Sequence, residues 1–224
     1  MTREAYEQQI IEIENDVADM SKLCIESICN SVKSFLAMDK ELAKKIRKSD
    51  DIIDIKEMEI EEKCVVLIAT QAPVSSDLRR ILSALKIISK LEKIGDNSSK
   101  IAKIVLKSKS NRCEDVEVLE VMKLYLKDML TDAIIAYTEK DEELAREVYR
   151  RNKKIGKLFK ELYRTMISYI IEDPTNTTCA TEVIFVGKYL EQTGDIIESI
   201  CDRVVYMITG ERIKEEKMDY KHFE

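Results

Sequence analysis

The sequence predicts an all-α protein: two tandem three-helix bundles, six long helices in all, related by an internal repeat. Three observations predict this. Only five glycines and two prolines interrupt 224 residues, and 36% of the residues are charged. Few breakers and many charges describe long helices with solvated outer faces. Apolar residues recur at alternating steps of three and four, as in a coiled-coil-like seam. Short motifs recur about a hundred residues apart. The apolar fraction of 45% is enough for a continuous core.

The first helix carries Tyr6, Ile10, Ile13, Val17, Met20 and Cys24 on one stripe, resumed by Ile28, Val32 and Phe35. Asp39 has the chemistry of an N-cap for a second helix, whose stripe is Leu42, Ile46, Ile53, Ile60, Cys64 and Leu67. Gln71-Ala72-Pro73 ends it, because the residue before a proline is pushed out of the right-handed α region. A third helix is expected from Ser76 to Lys107, then a polar linker over 107–113.

The pattern then restarts with a fourth helix expected from Asp115 to Glu139. Asp141-Glu142-Glu143-Leu144-Ala145 echoes Asp39-Lys40-Glu41-Leu42-Ala43 at an offset of 102. Pro73 and Pro174 are 101 apart, and Leu91-Glu92-Lys93-Ile94-Gly95-Asp96 matches Leu190-Glu191-Gln192-Thr193-Gly194-Asp195 at an offset of 99. Ile101 and Val105 likewise match Ile200 and Val204. The expected units are 1–108, 114–210 and a charged tail over 211–224.

Composition excludes several function classes. The longest apolar run, residues 64–69, falls far short of the ~20 residues a membrane span needs, so no direct membrane insertion is expected. The N-terminus lacks the apolar stretch of a signal peptide. A net charge of −6 with both signs interspersed offers no basic stripe for nucleic acid. Among the six cysteines no C-x-x-C pair occurs, which excludes a zinc ribbon, and no disulfide framework is expected. Cys24 and Cys64 lie on apolar stripes and read as small core residues. The single histidine, His222, sits near the end of the chain, which removes imidazole-based catalysis and Glu-x-x-His di-iron chemistry.

One constellation carries chemistry. Glu92 and Asp96 are four apart and share a helix face, and Glu92 is in step with Ile81, Leu85 and Ile88. The second helix offers a matching pair, Asp50 and Asp54. Four carboxylates on two facing helices repel one another, and cations relieve the repulsion. All-oxygen ligation suits hard ions such as Mg, Mn, Ca or Fe and disfavours thiolate-type zinc. Gly95, between Glu92 and Asp96, removes a side chain where a helix or an ion could approach. The bland reading is that i, i+4 acid pairs lie on a solvated face. In the second half Glu191 and Asp195 recur, but Asp50 and Asp54 fall on Asn152 and Gly156. Asn152 offers a neutral oxygen at most, and Glu198 lies nearby.

These motifs resemble the PhoU family. The likeness rests on the acidic D-x-x-I-D stretch ending at Asp54, the glutamine-proline turn followed by Asp77-Leu78-Arg79, and the L-E-K-I-G-D run from Leu91. In the second half it rests on YLEQTGD and the run through Val204-Val205-Tyr206-Met207 to Thr209-Gly210-Glu211. It covers about residues 4–211. Departures are Gln71-Ala72-Pro73 where the family has Q-Q-P, Gln192-Thr193 where it has R-I, and Asn152 and Gly156 where it has acids.

The resemblance implies two three-helix bundles with multinuclear metal sites, the first on Asp50, Asp54, Glu92 and Asp96 and the second on Glu191 and Asp195. The expected cofactor is divalent or trivalent ions on carboxylates: Fe, Mg, Mn or Zn. It also implies a cytoplasmic, non-enzymatic negative regulator of high-affinity phosphate uptake, linking the ATPase subunit of a phosphate ABC transporter to a sensor histidine kinase. A homodimer is a further candidate partner. The competing readings are an accessory protein of another phosphate transporter, a metalloenzyme, and a structural helical bundle without metal.

Overall fold

The computed structural model describes residues 3–109 and 116–213. Among them are six helices and no strand: α1 (Arg3–Ala37), α2 (Lys40–Gln71), α3 (Ser75–Lys107), α4 (Glu117–Glu139), α5 (Glu142–Glu172) and α6 (Thr177–Thr209). A 3-10 turn, Pro174–Asn176, joins α5 to α6. The expected starts of the third and fourth helices, Ser76 and Asp115, differ by a residue or two from the observed Ser75 and Glu117. Cys113, Asp115, His222 and residues 214–224 lie outside the described residues.

Local chemistry sets the helix ends. The Asp39 carboxylate accepts the N–H groups of Glu41 and Leu42 at 3.0 Å, and Asp141 accepts that of Leu144 at 2.9 Å. Each satisfies donors that the first turn leaves unpaired. The preceding residues, Met38 and Lys140, hold left-handed conformations with φ of 52° and 57°. The same corner is thus built twice, 102 residues apart. The Pro73 ring bars Ala72 from the right-handed α region, and Ala72 closes α2 in the left-handed one at φ 45°, ψ 60°. At the end of α6, Gly210 takes φ 80°, and the segment behind it folds back: Ile213 N–H donates to Asp202 and Arg212 pairs with it, both at 2.9 Å.

The helices divide by how much they bury. On α2 only Ala43, Ile46, Ile53, Ile60, Cys64 and Leu67 are buried, a single seam. On α5 the buried set is Ala145, Val148, Asn152, Ile155, Leu162 and Met166. The helices α3 and α6 are buried on two sides. They pack along each other, and α1 packs on α4. Hence α2 and α5 flank an inner layer of four helices. Among the described residues all five cysteines are free; Cys24, Cys64 and Cys201 are fully buried core residues. Burial pushes the Cys64 and Cys201 thiols up to about 12, so both are protonated at neutral pH.

One buried ion pair ties α3 to α1. Arg80 grips Glu14 through Nε (2.9 Å) and Nη2 (3.1 Å) and reaches Glu7 through Nη1 (2.8 Å). The Arg80 and Glu14 side chains are only 11% and 9% exposed. The buried Tyr137 of α4 lies within their field, yet its hydroxyl has no hydrogen-bond partner among the described residues. Removing one member of a buried pair strands the other. Glu14→Ala should therefore lower stability by about 2–3 kcal/mol, the remaining Glu7 contact softening the loss. Tyr137→Phe should leave stability unchanged or raise it slightly. Urea denaturation of both variants checks this.

Candidate metal centre

The predicted acids of the first bundle sit along the groove between α2 and α3. Asp50 on α2 is half-buried and accepts a hydrogen bond from Ser99 on α3. Burial raises the Asp50 carboxyl above its ordinary range, Ser99 partly offsets this, and the charges of Asp54, Asp96 and Asp51 raise it further. Burial likewise raises Glu92, helped by Asp96, Glu57 and Asp54. Asp54 and Asp96 therefore share the field of both, and all four predicted acids of this half lie in one electrostatic cluster. The Cys24 thiol on α1, donating to the Leu91 carbonyl at 3.3 Å, lies beneath it and feels both Asp50 and Glu92.

The sequence reading missed a fifth acid. Glu57 is half-buried beside Ser89, and burial with the charges of Glu61 and Asp54 raises its carboxyl. It stands one helical turn beyond Asp54, and that i, i+3 spacing was the available signal. One expectation needs correction. Glu92 lies on the edge of the α3 seam, half-buried, and the centre of the seam is Ile88, Leu91 and Gly95. The cluster also has basic neighbours: Lys100 is 3.3 Å from Asp96, and Lys93 faces Glu57 and Glu92. Gly95 brings the helices close, since a Cβ there would stand 3.0 Å from Ile53 Cδ1 and 3.1 Å from Asp50 Oδ1.

Among the described residues no three or more His, Cys, Asp or Glu side chains stand together as they would have to in order to hold a metal ion. The acids share a face and a field and stand apart, as like charges do. The donor set is all oxygen, self-repelling and partly dehydrated, which fits a hard cation.

The second bundle differs. Glu191 pairs with Lys188 at 2.5 Å, and Lys188 also lies over the Phe159 ring, 5.5 Å from its centroid. Asn152 is buried and turns its amide nitrogen, not its oxygen, to the acids: Nδ2 donates to Asp195 at 2.9 Å and to Glu198. The neutral oxygen expected as a ligand faces Gly194 instead. Gly156 contributes no side chain. With one acid paired to a lysine and the others to an amide, these residues do not fit a multinuclear cation site.

The fold and site together define a class: a tandem three-helix-bundle protein with a carboxylate cluster in the outer groove of its first bundle. The chain belongs to the PhoU family. The PhoU domain matches residues 17–105 and 119–204. It is 32% identical over 216 residues to the phosphate-specific transport system accessory protein PhoU homolog of Clostridium acetobutylicum, covering 95% of this chain and 98% of that one. It is 32% identical over 212 residues to PhoU homolog 1 of Thermotoga maritima, covering 94% and 91%. The crystal structure of the phosphate transport system regulatory protein PhoU from Streptococcus pneumoniae superposes with a TM-score of 0.87 at 28% identity, covering 93% of this chain and 99% of that one.

The crowding of acids has a measurable consequence. In chelator, Asp54→Asn removes a like charge that opposes ionisation of Asp50, Glu57 and Glu92. It should raise the melting temperature by about 1–2 °C, the size expected for relief of like-charge contacts near a surface. An unchanged or lower value in a thermal scan would mean that the acids are too well solvated to repel.

Proposed function

We propose that this protein is a cytoplasmic accessory protein of a phosphate transport system, acting without catalysis to lower high-affinity uptake and starvation signalling when phosphate is plentiful. The observation that carries this reading is the span of the likeness. Relatives named as phosphate-specific transport accessory proteins match across both repeats and nearly end to end. No described helix is long and apolar enough to cross a membrane, and contact with the bilayer is through partner proteins. The partners proposed are the ATPase subunit of a phosphate ABC transporter and a sensor histidine kinase. The rigid helices offer them wide charged faces, and a homodimer remains a further partner to test.

In this reading Asp50, Asp54, Glu92 and Asp96, joined by Glu57, hold one or more hard cations in the α2–α3 groove. The cation neutralises the cluster and holds the flanking helix α2 to α3. A cation that binds only the folded state adds RT ln(1 + [L]/Kd), about 2.7 kcal/mol at a hundredfold excess over Kd.

Two outcomes are expected. Adding Mn²⁺ or Fe³⁺ to chelated protein should raise the melting temperature by roughly 5–10 °C. Asp54→Asn with Asp96→Asn should abolish the response, and a response that survives in the double variant would rule out this cluster. In cells, deleting the gene should raise phosphate accumulation in phosphate-rich medium, and affinity capture should recover the transporter ATPase or the kinase. Unchanged uptake and signalling would overturn the regulatory reading.

A further inference from the structure

The two bundles place equivalent side chains in opposite chemical roles. At the repeat offsets of 102 and 99, Asp50 corresponds to Asn152, Gly95 to Gly194, Asp96 to Asp195 and Ser99 to Glu198. The backbone setting is shared. A Cβ at Gly95 would press on Asp50 Oδ1, and one at Gly194 would collide with Asn152 Oδ1. In both halves, then, a short side chain on the flanking helix rests one oxygen against a glycine of the inner helix, and the other terminal atom differs. In the first half that atom is an oxygen. Asp50 accepts from Ser99 and stands in the field of Asp96. In the second half it is a nitrogen, and Asn152 donates to Asp195 and Glu198. The polarity of the cross-helix hydrogen bond is reversed.

The donor count closes. An amide nitrogen has two N–H groups, and two carboxylates face it, each taking one. Only this amide orientation satisfies the buried group, because a carbonyl oxygen between two carboxylates would leave three acceptors without a donor. The remaining positions follow the same exchange. Glu57 corresponds to Phe159 and Ser89 to Lys188, and Lys188 pairs with Glu191 while covering the Phe159 ring. Every carboxylate that the second half keeps at these positions therefore has a protein donor.

We infer that Asn152 is a built-in substitute for a cation: its amide bridges Asp195 and Glu198 across the α5–α6 groove and closes the second bundle without metal. Helix α5 is thus fixed to α6 at any metal concentration, and any metal dependence of this chain is confined to α2 and the first bundle. The inference takes from the proposed function only the identity of the first-bundle acids, and it holds whether or not those acids bind metal.

The test uses the full chain carrying Asp54→Asn and Asp96→Asn, which removes the first cluster from the readout. Mn²⁺ alone is the probe, with bound ion counted by electron paramagnetic resonance and unfolding followed by circular dichroism. With Asn152 intact, the melting temperature should be the same in chelator and in Mn²⁺. Adding Asn152→Asp should lower it in chelator by roughly 5–10 °C, the loss of two charge-assisted hydrogen bonds. Mn²⁺ should restore most of that and appear as newly bound ion. Adding Glu198→Gln to Asn152→Asp returns a donor from the opposite helix, as Ser99 does in the first bundle, and should recover at least half the loss in chelator. The inference is overturned by a Mn²⁺ response that is present with Asn152 intact and lost on Asp195→Asn. It is equally overturned if Asn152→Asp changes nothing in chelator, or if Glu198→Gln recovers nothing. Should the Asn152→Asp chain fail to fold in chelator, the Glu198→Gln arm still decides. Loss of the wild-type Mn²⁺ response would count against the first-bundle site and leave these arms untouched.

Discussion

The helices α3 and α6 are apolar or small on two sides, and both sides have to be covered. A three-helix bundle covers only one. The second side of α3, with Asn97 buried, finds its cover on α6. There Asn97 donates to Thr193 Oγ1 and the Tyr189 carbonyl at 3.4 and 3.5 Å. Burying such surface is worth about 25 cal/mol per Å², so two units with this two-sided pattern are more stable packed together than apart. The flanking position of α2 and α5 follows, since each has a single seam to bury.

That placement decides where chemistry can sit. A carboxylate on an inner helix facing the core would be stranded, but one at the edge of a groove under a flanking helix is half-buried and still reached by water and ions. Asp50, Glu57 and Glu92 occupy such positions, with Asp54 and Asp96 at the rim. Gly95 and Gly194 narrow the two grooves at equivalent points, so both bundles present the same cradle. What fills it differs, with carboxylates alone in one half and carboxylates answered by an amide and a lysine in the other. Duplication supplied the geometry twice, and a few side chains set the charge balance of each copy.

The helices, their ends and the repeat follow from residues close together along the chain. The seams through Val17 and Cys24 or Ile53 and Ile60 repeat at helical spacing, and the caps at Asp39 and Asp141 act on donors two or three residues away. Interactions of that range are written in local order. The pairs Asp50 with Asp54 and Glu92 with Asp96 were legible for the same reason, as was the absence of acids at 152 and 156. The rest depends on contacts between segments far apart in the chain. Glu57 joins the cluster because α3 brings Ser89 and Lys93 to it, and Glu92 lies at the seam's edge because α6 claims the other side of α3. The direction in which Asn152 points its amide depends on Asp195 and Glu198, more than forty residues away, and on the space left by Gly194. A hydrogen bond between distant segments needs both of its ends in place before either residue's role is defined.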